Sequence, residues 1–282
     1  MTLDHRTLRD LSAVDVRAAI RSEGYRGHTA GLGEGCLQTN IVILPSSFAL
    51  DFMRYCQRNP KPCPLVGVTD TGDAQFRTMG RDINVRTDVP AYNVYRDGRL
   101  VQTVSSIGDL WTQDLVAFAL GCSFTFEHAL ERAGIPVWHV QHDTTVPMYR
   151  TKIDTVPAGP FRGKMVVSMR PIPIERVDEV RQICAAFPLA HGAPVHVGDP
   201  ALIGIGDIAR PDWGDPVRFD AGTVPVFWAC GVTPQVAVEA ARPPICITHV
   251  PGHMLITDIA EDAEVPILVF HEDQKSNPTR RT

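Results

Sequence analysis

Across 282 residues the sequence contains no CxxC pair, no GxxxxGK[ST] loop, no GxSxG elbow and no run of basic residues. Each absence removes a class of function. The seven cysteines, Cys36, Cys56, Cys63, Cys122, Cys184, Cys230 and Cys246, are odd in number and widely spaced. That argues against a disulfide framework or a thiolate zinc site and for reduced, packed thiols. Nucleotide chemistry and an α/β-hydrolase nucleophile have no motif to carry them, and GLGEG near residue 31 is too short for a dinucleotide fingerprint. No cofactor and no metal are expected. A formal net charge of −5 gives no electrostatic footprint for a phosphate backbone, so nucleic acid is not an expected partner. No window holds the roughly 20 apolar residues of a membrane helix. MTLDHRTLRD has no apolar stretch behind a basic one, so no secretory leader is expected and the cytoplasm is the expected location.

What is present is an ordinary globular composition, 44% hydrophobic and 21% charged, long enough for one large or two modest domains. LSAVDVRAAIRSEG places Ser12 and Asp15 in capping-box spacing and stops at Gly24, which predicts a helix. The β-branched run Ile41–Leu44 predicts a short buried strand, and Ser46 or Ser47 then opens a helix to about Arg58. LVGVTD predicts another strand, and Asp97-Gly98 between alternating segments predicts a hairpin. From Asp109 to Gly134 the pattern reads as helix through DLVAFAL and FTFEHALERAG, with IPVWHV as a strand beyond it. MVVSMRPI, ERVDEVRQICAAF and PVHVGDP predict strand, helix and strand. Thr233 and Pro234 start a short helix, and PPICITHVPGHMLITDI returns to strand.

These elements predict an α/β protein of two domains: a larger layered α/β/α domain, 1–143 plus 231–270, with a smaller two-layer α+β domain, 144–230, inserted. Residues 271–282 read as a disordered tail. No sequence repeat stands out.

Rare polar types crowd at strand-to-loop junctions, the usual place for binding groups in α/β folds. Cys122 and Ser123 stand at a break before a helix, whose amides could polarise an anion or a thiol; Ser123 could equally be a plain cap. Arg150 and Arg170 adjoin apolar sequence, where a guanidinium needs a carboxylate from the protein or from a ligand. Tyr149 could donate to the same ligand. His191 and His196 share one segment, and His249, His253 and Asp258 another. A zinc reading of these histidines is weakened by Pro251 and Gly252, and acid, base or orienting roles are preferred. In WACGVTPQ, Cys230 ends a strand, Gly231 allows close backbone approach, and Thr233 and Gln235 open a helix suited to a carboxylate.

Taken together, LQTNIVILP, GCSFTFE, VPMYRT, GPFRGKMVVSMRP, HGAPVHVGDP, WACGVTPQ and HVPGHMLITD resemble the hydro-lyase family of YcsI-type proteins, which is related to mitochondrial D-glutamate cyclase. The resemblance runs from about Ser12 to Phe270. It implies a two-domain α/β lyase acting on a small amino or hydroxy acid carboxylate, with cyclisation of D-glutamate to 5-oxo-D-proline as the suggested reaction. The assigned roles rest on residue chemistry: Cys122, Ser123, His191, His196, Cys230, His249 and His253 as catalytic groups, and Tyr149, Arg150, Arg170, Thr233, Gln235 and Asp258 as substrate-binding ones. The alternatives are a metal-dependent hydrolase using the histidine clusters and a non-catalytic carboxylate-binding protein. Homo-oligomers are common enough that self-association is a mild expectation.

Overall fold

The computed structural model describes residues 3–264. The expected tail 271–282, and the last residues assigned to the larger domain, lie outside the described residues. Helices α1 (His5–Leu8) and α2 (Ala13–Arg21) lead into β1 (Cys36–Pro45), α3 (Ser46–Arg58), β2 (Leu65–Val68) and the hairpin β3 (Tyr92–Arg96) and β4 (Arg99–Val104). β5 (Leu115–Gly121), α4 (Phe124–Arg132), α5 (Trp138–Gln141) and β6 (Met148–Asp154) follow. The chain continues through β7 (Lys164–Pro173), α6 (Val177–Ala185), β8 (His196–Val197), β9 (Thr223–Ala229), α7 (Thr233–Ala241), β10 (Cys246–His249) and β11 (Leu255–Ala260).

The strands form two sheets, one in the order β2-β5-β1-β10-β3-β4 with β11 also on β1, the other β6-β7-β9-β8. Every strand pairing is antiparallel. The fold is therefore mixed α/β, as expected. One buried cluster joins Ile41, Ile43 and Ala119 of the first sheet to Ile172, Val226 and Trp228 of the second, with Phe126 and Val180 from α4 and α6 between them. The opposite face of the first sheet, with Val42, Leu44 and Phe118, packs on Phe52 and Tyr55 of α3 and Ala237 and Val238 of α7. Burial on both faces explains the unbroken apolar run of β1, and the strand extends further in both directions than that run predicted.

Some elements differ from the sequence reading. DLVAFAL is strand β5, not helix: all seven residues of Leu115–Gly121 are buried between two neighbours, and ladder pairing overrides helical periodicity in so short an apolar run. IPVWHV is a turn leading into α5. In α7 the N-cap position falls to Val232, and the Thr233 hydroxyl is used elsewhere. The hairpin holds, with Asp97 and Gly98 at φ 50° and 78°, the left-handed pair that a two-residue turn demands.

The two sheets repeat one topology. In the first, β1, α3, β2, β5 and α4 come in that chain order, with the β3–β4 hairpin inserted between β2 and β5, and the strand order is β2-β5-β1. In the second, β7, α6, β8, β9 and α7 follow one another, with the order β8-β9-β7. The next strand then crosses over: β6, after α4, pairs with β7, and β10, after α7, pairs with β1. The junctions match atom for atom. Cys122 N–H donates to Gln38 O at 2.9 Å, and Gln38 N–H donates to Thr125 Oγ1 at 3.1 Å. Cys230 N–H donates to Val166 O at 3.0 Å, and Val166 N–H donates to Thr233 Oγ1 at 2.9 Å.

At the first junction the backbone is packed too closely for a side chain, since a Cβ on Gly121 would lie 1.5 Å from Leu189 O. Gly121→Ala is expected to lower unfolding free energy in urea by about 3 kcal/mol or more, the upper range for overpacking. Gly206→Ala, whose methyl would meet nothing within 4 Å, is expected to stay within about 0.5 kcal/mol of the parent.

Candidate active site

The repeated junctions bring Cys122 and Cys230 to the wall of one narrow cleft, together with Asn40, Ser123, Phe124, Thr145, Met148, Val232, His249 and Gly252. Each thiol ends a strand and overhangs the first turn of a helix. The backbone amides at Phe124 and at Val232 favour the thiolates of Cys122 and Cys230 respectively. Burial pushes the Cys122 thiol up to about 12 and the Cys230 thiol to about 11, against the acidifying pull of those amides. Both are proton donors at neutral pH.

His249 closes the end of β10 with its Nδ1 against the Ile41 backbone. Its Nδ1 lies 3.1 Å from Ile41 N, whose N–H points at it, and 3.3 Å from Ile41 O. Burial pulls its pKa down to about 4. Among the described residues its Nε2 makes no hydrogen bond. Asn40 was not singled out by sequence. Its Nδ2 donates to Gly121 O at 2.9 Å, and a Cβ on Gly231 would fall 2.1 Å from that nitrogen. Gly231 thus permits the close approach its sequence context suggested, but to a side chain.

Behind Ser123 lies a sealed ion cluster. Arg170 is fully buried, donates to Glu127 Oε1 through Nε at 3.1 Å and more closely through Nη2, and reaches Ser123 Oγ and Ser168 Oγ at 3.1 Å each. His139 Nε2 lies 3.0 Å from Glu127 Oε1, and Phe126 and Trp228 flank the guanidinium. Burial alone would raise the Glu127 carboxyl, but His139 and Arg170 outweigh it and hold it at about 2. Arg170 is thus neutralised by a protein carboxylate and positions Ser123.

The other expected substrate groups lie elsewhere. Arg150 is exposed beside Trp213 and 3.6 Å from Glu239, on a different pocket, and the Tyr149 hydroxyl donates to Ile208 O at 2.7 Å. The two guanidinium groups therefore do not converge: β6 turns Arg150 outward, while β7 buries Arg170 between the sheets. Asp258 pairs with Arg17 at 2.6 Å, and the Thr233 hydroxyl serves Val166. Gln235 is buried in the first turn of α7, its amide nitrogen without a partner among the described residues. His191 is buried with Nδ1 at 2.7 Å from Lys61 O, and its pKa is pulled down by burial to about 4. His196 sits at the edge strand β8 with Nε2 at 2.8 Å from Asp199 O, and His253 Nδ1 lies 3.1 Å from Pro251 O. These histidines do not gather around one point as a metal centre requires.

A second pocket, of about 380 Å³, adjoins the cleft and is lined by His5, Arg6, Arg9, His28, His139 and Asp143, among others. Thr144 lines it while Thr145 lines the cleft, and a Cβ on Gly252 would lie 3.7 Å from His28. His5, His28 and Asp143 place ligand-type atoms within 4.8 Å of one another, the one such trio among the described residues and the group that could hold a metal ion. Sequence reading passed over these residues because the N-terminal stretch carries no motif and meets residues 139–144 only in three dimensions. The paired cysteines had a usable signal: Cys-x-x-Thr occurs at both Cys122 and Cys230, each just after a buried strand.

Arg170→Ala leaves Glu127 buried and half-paired. It is expected to lower unfolding free energy by about 3–5 kcal/mol in chemical denaturation, with activity lost in step with folded protein. A separate pH effect follows from His191 and His249. Both bind a proton at 6.5 when unfolded but only at about 4 when folded, so the unfolded chain takes up protons first as pH falls. The thermal midpoint is expected to drop between about pH 6.5 and 4, and His249→Gln is expected to make that slope shallower.

The sequence profile of the D-glutamate cyclase family matches residues 116–258, which span both cysteine junctions and His249. A protein of Dinoroseobacter shibae named "Putative hydro-lyase" is 67% identical over 277 residues, covering 98% of this chain and 92% of its own length. Relatives of the same description from Ruegeria pomeroyi and a Jannaschia species are 65% and 61% identical, over 98% and 90% of this chain and 100% and 96% of their own lengths. None of the helices described is long and apolar enough to cross a membrane. By the extent and identity of these matches, the chain belongs to the D-glutamate cyclase family.

Proposed function

We propose that this protein is a lyase that removes water from a small amino acid carboxylate at the Cys122–Cys230 cleft, with ring closure of D-glutamate to 5-oxo-D-proline as the reaction. The observation that carries this reading is the presence, in one cleft, of two protonated thiols at the heads of two helices and a buried histidine. In the ring closure the ammonium nitrogen loses two protons, and both end on the departing carboxylate oxygen as water. Two thiols can each relay one of them, giving a proton to oxygen and taking one from nitrogen. In this reading His249, in the tautomer protonated at Nε2, donates to the oxyanion that builds up at the attacked carbon. The substrate's second carboxylate is assigned to the adjoining pocket, where Arg6 and Arg9 supply the positive charge that neither Arg150 nor Arg170 offers.

Incubation of the purified protein with D-glutamate is expected to give 5-oxo-D-proline, followed by chiral chromatography. Cys122→Ser is expected to slow it by about 10²- to 10⁴-fold with the fold intact. Tight binding of D-glutamate in calorimetry with no product would instead make the protein a carboxylate-binding module.

A further inference from the structure

We propose that His5, His28 and Asp143 bind one divalent transition-metal ion on the wall of the pocket that adjoins the cleft, and that an open position of this ion takes a carboxylate oxygen of the ligand. The second half of the proposal rests on the reading of that pocket as the place of the substrate's second carboxylate.

The three residues come from α1, from the loop before β1 and from the turn after α5, and all three line the pocket. Their ligand-type atoms lie within 4.8 Å of one another, and His28 Nε2 is 3.0 Å from Asp143 Oδ1. The two imidazole rings have centroids 4.4 Å apart. An ion held through bonds of about 2.0–2.2 Å needs its donors roughly 3 Å from one another, so side-chain rotation is enough to close this set on an ion. The outer contacts are those of a ligating histidine. His5 Nε2 lies 2.8 Å from Ala30 O, and because a carbonyl oxygen only accepts, that bond puts the ring proton on Nε2 and the free lone pair on Nδ1. The backbone of His28 is pinned on both sides: Tyr25 Oη donates to His28 O at 2.6 Å, and Thr29 N–H donates to Gly252 O at 2.8 Å.

Two imidazole nitrogens and one carboxylate suit zinc, cobalt or nickel, whereas magnesium and calcium take oxygen donors. Three protein donors leave a four-coordinate ion with one position for water or a ligand. The charges of the pocket wall show what the ion adds. Asp4 and Asp143 line it together with Arg6 and Arg9, so with neutral imidazoles the fixed charges cancel. A divalent ion gives the pocket the net positive charge that an anionic ligand requires. The cleft between the thiols offers only about 20 Å³ against about 380 Å³ here, so the body of a small acid has room in the pocket alone. The bond from Thr29 to Gly252 joins the segment that carries His28 to the wall of the cleft, and so sets a carboxylate held on the ion beside the thiols.

The test uses the full-length protein, stripped with a chelator and then titrated with Co²⁺, Zn²⁺ or Mg²⁺ in a calorimeter, with visible absorption as a second readout for Co²⁺. The expected result is one Co²⁺ or Zn²⁺ ion per chain and no binding of Mg²⁺ at the same concentration. His28→Ala and Asp143→Asn are each expected to weaken Co²⁺ binding by more than the roughly 10- to 100-fold that loss of an outer-shell contact costs. His142→Ala, at an exposed position outside the pocket, is expected to bind as the parent does. Thermal midpoints close to the parent's in chelator would show that the variants fold. D-Glutamate, and glutarate as a dicarboxylate without the amine, are each expected to shift the visible band of the Co²⁺ protein. Absence of ion binding, a preference for Mg²⁺, or binding that survives both His28→Ala and Asp143→Asn would overturn the proposal. A band that neither acid moves would also overturn it, and if 5-oxo-D-proline still forms equally fast with and without the ion, the proposed function stands alone. A shifted band with no 5-oxo-D-proline formed would uphold the ion and remove the cyclase reading.

Discussion

The structure depends on a small hydrogen-bonded clasp, made twice, in which a cysteine amide and a threonine hydroxyl grip the same residue of a neighbouring strand. Gln38 is held this way by Cys122 and Thr125, and Val166 by Cys230 and Thr233. At the end of a strand the ladder has no further partner, and an unpaired backbone amide in a buried place costs about 1–3 kcal/mol. The threonine hydroxyl, one turn into the helix, meets that need. In doing so it fixes where the strand stops, where the helix starts and where the sulfur points. The position of both thiols is thus a by-product of satisfying the backbone.

Behind this clasp the Arg170–Glu127 pair supplies rigidity. Two opposite charges removed from water repay their desolvation only with close contacts on every side, and here Ser123, Ser168 and His139 complete the set. The pair links β7 to α4, and so ties the second sheet to the helix that carries Cys122. Its charge is consumed within the protein. Any attraction for anionic ligands comes from elsewhere, and the arginines of α1 and its flank at the adjoining pocket are the cations so placed.

Much of this was legible in the residues. The break at Gly121–Ser123 and the strand end at Cys230-Gly231 both announced themselves, because glycine next to a cysteine between an apolar run and a helix has few other uses. The Asp97-Gly98 hairpin and the capped α2 were legible for local reasons, turn geometry in one and reciprocal side-chain bonds in the other. The identity of β5 was not, since a buried strand and a buried helix share an apolar composition and only the neighbours decide. The fates of Arg150 and Arg170 were hidden too. Both adjoin apolar sequence, yet their environments depend on Glu127, Glu239 and Trp213, which come from distant parts of the chain. Asn40 looked like one polar residue in a strand until Gly231 was brought against it.

The exchange of β6 and β10 has a consequence for how the molecule can come apart. Neither half of the chain completes its own sheet: the first lends its final strand to β7, and the second lends β10 to β1. A polypeptide cut between β6 and β7 would leave each fragment with a bare strand edge and an apolar face shaped to receive the other. Such fragments are mutually templating, and in isolation they carry the exposed edges that drive intermolecular aggregation.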